Sequence, residues 1–191
     1  MSKSICDMKR LMLLMLFSIF PVALPAQDEE NTYNFKVVDG SRVIWQKVYE
    51  SDMTIDEIFS SCMVSGYFAN VRGVEQGIYL DLKPFDIDFK SAGLDVMTTY
   101  IFVSRNHFTA NAIIQVRDGR YRVTVEHFVL EQKFSDPFTK QGETCGIEDY
   151  ALNRKGMFKS SFLVYEAAYP IDFTLDRIFQ FTKQNDYLDD F

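Results

Sequence analysis

Apolar and polar positions alternate from Arg42 onward, where the stretch VIWQKVY is rich in strand formers and predicts a strand. The pattern then changes. In ESDMTIDEIF, Thr54 is a good helix N-cap, and Glu57 three residues later completes a capping box. Met53 before the cap and Ile58 at the fourth helical position are placed to form a hydrophobic staple. Asp56 puts a negative charge in the first turn, where the helix dipole favours it. The spacing predicts a helix to about Ser65, stopped by Gly66, with Ile55, Ile58, Phe59 and Cys62 on its apolar face.

Strand-like patterns follow. QGIYLDLKPFDIDF (76–89) alternates, with Pro84 marking a break or an edge position. MTTYIFV (97–103) reads as a further strand, and SRNH as the turn after it. The clearest signal is FTANAIIQVRDGRYRVTVEHFVL, where Asp118-Gly119 separates two alternating runs and predicts a hairpin with a type I′ turn. Folding there pairs Val116 with Tyr121, Ile114 with Val123 and Ala112 with Val125 on one face. His127 then falls on that same face, opposite Ala110. Arg117, Gln115, Arg122, Thr124 and Glu126 occupy the other, polar face.

Residues 131–158 hold Pro, Gly and charge without a clear period and predict a long connection. MFKSSFLVYEAAY (157–169) is consistent with a strand or a helix turn, and the strand is the preferred reading. After it, FTLDRIF (173–179) repeats the apolar-Thr-apolar-Asp-charged-Ile-Phe pattern of MTIDEIF (53–59). That predicts a second helix with Thr174 as its cap, Asp176 in its first turn and Phe173 stapled onto Ile178. Either an old duplication or the common demands of docking a helix on a sheet can write such a pattern twice. The resulting order is β-α-β4-α: an α+β fold with an antiparallel sheet of about five strands and two helices on one face.

The N-terminus changes what counts as the mature chain. Lys9 and Arg10, the apolar run Leu11–Phe20 and Ala26 before Gln27 describe a secretory signal peptide, residues 1–26. Residues 27–34 read as a flexible leader and 35–191 as a single α+β domain. The run is short of the roughly 20 residues that a membrane span needs, so no span is expected in the mature chain. Export to the periplasm or beyond is the expectation. Removing residues 1–26, which hold three basic residues and one acid, moves the net charge from −7 to −9. An acidic exported chain is not expected to bind nucleic acid. Cys62 and Cys145 remain; an oxidising compartment permits them to pair, while the place of Cys62 on an apolar helix face suits a packed thiol.

The chain contains no nucleophile elbow, phosphate-binding glycine loop, CxxC or HExxH. His107 falls in a predicted turn. Asp86 and Asp88, with Asp81 nearby, resemble a cation site only faintly, since no glycine-containing calcium loop follows. Neither metal nor cofactor is expected. Most of the aromatic residues must be core. Phe134, Phe138 and Tyr150 lie in or beside the polar connection and are the candidate binding residues.

With Trp45 in the opening strand, the capped first helix and IIQVRDGRYRVTVEHF, residues 35–130 resemble domain of unknown function 4468, a family of exported Bacteroidetes proteins. The resemblance implies a TATA-binding-protein-like fold with a curved sheet. It implies no activity, so no site residues come with it. Two functions are consistent with these features. One is an exported binding or interaction module for a partner protein or a small apolar ligand. The other is a periplasmic hydrolase or other enzyme with an acidic site around Glu143, Glu148 and Asp149. A shallow aromatic surface favours the first, and acids gathered in a closed cleft favour the second.

Overall fold

The computed structural model describes residues 31–75, 77–163 and 166–182. The expected signal peptide and residues 27–30 lie outside them. The elements run β1 (Phe35–Val38), β2 (Arg42–Glu50), α1 (Ile55–Val64), β3 (Phe68–Val74), β4 (Gly77–Phe85), α2 (Ile101–Arg105), β5 (Asn106–Arg117), β6 (Arg120–Gln132), β7 (Thr144–Gly146), α3 (Glu148–Ala151), α4 (Ser160–Leu163) and α5 (Ala168–Phe179). Seven strands form one antiparallel sheet in the order β1-β2-β6-β5-β4-β3, with β7 added beside β6.

Alternation explains the layers. Val43 and Trp45, then Ile78, Leu80 and Leu82, then Phe108, Ala112 and Ile114, then Tyr121, Val123 and Val125 are buried on one face. Ile58 and Cys62 of α1 and Ile171, Leu175 and Phe179 of α5 join them in a single cluster. The opposite face carries cross-strand polar pairs, such as Gln46 with Thr124 and Asn111 with Asp81. The α+β reading therefore holds, with seven strands instead of about five. The strands missed by pattern are β1, β3 and β7. β1 and β3 lie at the sheet edges, and in β3 only Phe68 is buried, so it has little alternation to show.

The β5–β6 hairpin has the predicted register: Val116 pairs with Tyr121, Ile114 with Val123 and Ala112 with Val125. Its turn differs from the expected type I′. Gly119 takes φ +74° while Asp118 is not among the residues at positive φ, the pattern of a type II turn. The type I′ pattern falls instead on the other Asp-Gly pair, where Asp39 (φ 52°) and Gly40 (φ 69°) join β1 to β2 and Ser41 N–H donates to Val38 O.

His127 is a second correction. It has φ 55°, and the β5–β6 register shifts between Thr109 and Asn111, so His127 is the extra residue of a bulge. The bulge turns its imidazole outward and brings Phe128 into the core in its place. Continuous alternation had placed the histidine inside.

The first helix starts as expected. Thr54 Oγ1 accepts from Glu57 N–H, and the Glu57 carboxylate accepts from Thr54 N–H at 2.6 Å. Met53 and Ile58 are both buried. Ile55, by contrast, is exposed. The helix ends on extended Ser65, and Gly66 is not at positive φ, so no left-handed glycine stops it. Thr54→Ala is expected to lower the unfolding free energy by about 1 kcal/mol, measured by urea denaturation; an unchanged midpoint would show that the cap contributes nothing.

The second copy of the pattern does something else. α5 begins at Ala168, so Thr174 sits in mid-helix. Its hydroxyl donates to Pro170 O and accepts from Asp88 N–H. Ala168, Ile171, Leu175 and Ile178 are buried at helical spacing, and this packed stripe, not a cap, sets where the helix starts. The described residues of 157–169 form no strand either: they hold α4 and the first two residues of α5, so the helix turn and not the preferred strand is what forms. Residues 97–103 also fail to form a strand. The Asp95 carboxylate accepts from the N–H groups of Met97 and Thr98, and Thr99 Oγ1 donates to Asp95 O. These local bonds wind the chain into turns ahead of α2. The expected turn at SRNH is instead the end of α2 and the start of β5.

Candidate functional site

The 131–158 connection is built from short ordered pieces. Lys133 N–H donates to Arg105 O, and Gln132 N–H to Glu143 O. β7 then pairs with Val129–Glu131 of β6, and α3 follows. Between Lys133 and Lys140 the chain makes a tip organised by Asp136. One carboxylate oxygen accepts from Phe138 and Thr139 N–H, each at 2.8 Å. The other accepts from Arg105 at 2.9 Å. Those backbone N–H groups hold the Asp136 carboxyl below its ordinary pKa, with Arg105 adding to the effect.

A fixed tip thus carries two outward rings. Phe138 is 94% exposed and Phe134 59%. Tyr150 does not join them as an exposed anchor. It is half-buried and stacks on Phe102 at 4.4 Å, and Phe102 in turn meets Tyr100 edge-on at 5.2 Å. This row leads to an apolar patch that the sequence pattern did not identify. Met97 is 93% exposed, and Val96, Ile101 and Tyr100 are also on the surface. α2, which starts at Ile101, is tied to the Phe134–Phe138 tip through Arg105 and Asp136 and through Lys133 and Ser104 O. Reading 97–103 as a strand hid these residues, because half of a strand is expected to be covered.

The acids of the connection serve the backbone. Glu148 accepts from Val43 N–H at 3.0 Å, and Glu143 from Lys140 N–H at 3.1 Å. His107 is on β5 instead of in a turn; its Nδ1 lies 2.7 Å from Asp86, which also pairs with Lys133 at 2.8 Å. Asp88 pairs with Arg177, and Asp81 accepts from Asn70 and Asn111. Among the described residues no group of three or more His, Cys, Asp or Glu gathers to hold a metal. Cys62 and Cys145 are both free thiols, and burial pushes the Cys62 thiol up to about 12.

Several of these carboxylates share one consequence. Asp81 is held below the usual range first by its bond from Asn70, and Asp88 first by its bonds from Ser91. Burial works against Asp86, but Lys133 and His107 outweigh it. A carboxylate with a lower pKa when folded contributes stability that is complete above its unfolded value, roughly pH 4, and is lost as pH falls through the folded one. The urea midpoint is therefore expected to be flat from neutrality to about pH 5 and to fall below about pH 4. A midpoint that rises on acidification would refute this.

No protein-family model matches the chain, and no curated protein matches it. Two solved structures are similar to it. A TBP-like protein from Parabacteroides distasonis is 17% identical, with a TM-score of 0.44, 75% of this chain and 91% of that one being covered. A DUF4468 family protein from Bacteroides ovatus is 16% identical, with a TM-score of 0.44, covering 80% of this chain and 94% of that one. Both are Bacteroidetes proteins, described by the family and fold that the sequence resembles.

Proposed function

We propose that this chain is an exported interaction module that docks a partner protein through the Phe134–Phe138 tip and the neighbouring Met97–Ile101 surface. The observation that carries the reading is Phe138, 94% exposed on a tip that Asp136 holds with three hydrogen bonds. A phenylalanine left in water gains nothing for the folded monomer. Held in one place, it loses little entropy on docking, so it suits an anchor that enters an apolar pocket on a partner. A small apolar ligand fits less well, because these residues protrude, whereas ligand sites are concave. Export rests on Lys9, Arg10 and the apolar run before Ala26. Among the described residues no helix is long and apolar enough to cross a membrane.

The test is site-specific photo-crosslinking in the producing cells, with benzoylphenylalanine at position 138, at 134 or, as a control, at exposed Met63 on α1. Expected is one adduct of discrete mass from 138 and 134 and none from 63. Equal labelling at all three positions, or none at 138, would overturn the reading. The mature N-terminus, read by mass spectrometry of the same material, is expected near Gln27; an intact Met1 in exported protein would overturn the leader.

A further inference from the structure

A second surface lies on the uncovered face of the sheet, at the β5–β6 hairpin end. There a depression of about 240 Å³ is lined by Val48, Gln115, Arg117, Arg120 and Arg122. Three guanidinium groups and no carboxylate line it, in a chain whose net charge is −7. Register explains how they meet. Arg117 pairs directly with Arg120, and Gln115 with Arg122, so all four project from the same face. Val48 of β2 lies opposite Arg122 and supplies an apolar floor beside it.

Two features set this cluster apart from an ordinary wet surface. Like charges directly across a strand pair are unfavourable, yet Arg117 and Arg120 form no ion pair with a described carboxylate. Glu50 is opposite Arg120 in register, yet the two form no ion pair. Arg122, meanwhile, is oriented. Its Nε and Nη2 both donate to Gln115 Oε1, at 3.1 and 2.5 Å, which fixes the plane of the guanidinium.

We infer that this depression binds a single oxyanion-bearing group, a carboxylate or a phosphate. A planar guanidinium donates two parallel hydrogen bonds to either. The volume is below the roughly 300 Å³ at which drug-sized sites begin, so it admits the charged end of a ligand or of an acidic side chain and little more. An extended polyanion is disfavoured, because the acidic remainder of the protein repels it beyond the patch.

The experiment uses the mature chain at low ionic strength, where exposed charges are least screened. Sodium phosphate and sodium succinate are titrated separately against sodium chloride at matched ionic strength, and binding is read by calorimetry and by the thermal midpoint. Expected is saturable binding of phosphate or succinate, with the better of the two identifying the oxyanion. Arg117→Gln and Arg120→Gln are each expected to weaken it about tenfold while leaving the unliganded thermal midpoint unchanged or higher, since a like-charge contact is relieved. Val48→Glu supplies the depression with its own carboxylate and is expected to abolish binding. Phe134→Ser/Phe138→Ser is expected to leave it intact, which separates this site from the proposed docking tip. No midpoint shift beyond that of chloride, or equal binding by wild type and the Arg120→Gln and Val48→Glu variants, would overturn the inference.

Discussion

Trp45→Ala is expected to lower the unfolding free energy by about 3–5 kcal/mol, the range for deleting a buried large aromatic. Trp45 is fully buried and stacks on Phe179 of α5 at 6.1 Å. Its indole N–H donates to Asp172 Oδ1 at 2.7 Å, and the same oxygen accepts from Asn34 Nδ2 at 2.7 Å. Trp45 therefore joins the sheet to the helix by both packing and a charged hydrogen bond. Trp45→Phe keeps a ring and removes the donor, so it is expected to cost less, about 1–3 kcal/mol. Far-UV circular dichroism in urea measures both variants. This is the only tryptophan in the chain, so its own fluorescence reports on this contact in the wild type. Equal stability of Trp45→Ala and wild type would show that α5 does not depend on β2.

Gly77→Ala is expected to be of similar size, about 2–5 kcal/mol. Gly77 opens β4 at φ +140°, and a Cβ there would collide with the backbone carbonyl of Ile114 on the neighbouring strand. Backbone in that region is essentially restricted to glycine, at a cost of about 1–3 kcal/mol for other residues. The collision adds to this, because a strand carbonyl cannot move aside without breaking its ladder. Gly119→Ala is a useful comparison. Gly119 also has positive φ, but nothing lies within 4 Å of the point where an alanine methyl would sit, so only the conformational cost of about 1 kcal/mol applies. The contrast between the two, read by thermal or urea unfolding, separates strain from collision. Equal costs would refute the collision at Ile114.

Features set by neighbours in the chain were legible in the sequence. The capping box at Thr54 and Glu57 needs only residues three apart. The β5–β6 register needs only a turn and two alternating runs, and a slip of one residue would expose Val123 and bury Arg122. Phe134 and Phe138 were legible as apolar residues in a polar stretch. Other features depended on contacts that sequence spacing does not contain. Whether Thr174 caps a helix or sits within one was decided by the burial of Ala168 and Ile171 against the rest of the core, with the helix starting at Ala168 upstream of the expected cap. Whether His127 points in or out was decided by a bulge that admits Phe128 to the core. The type I′ pattern falls on Asp39-Gly40 and not on Asp118-Gly119, although the two dipeptides are identical in sequence. The arginine-lined depression needed both hairpin register and the arrival of Val48 from a strand some seventy residues earlier. Local hydrogen bonds and side-chain periods are written residue by residue, whereas packing energy is shared among segments distant in sequence, and it prevails wherever the local preferences are weak.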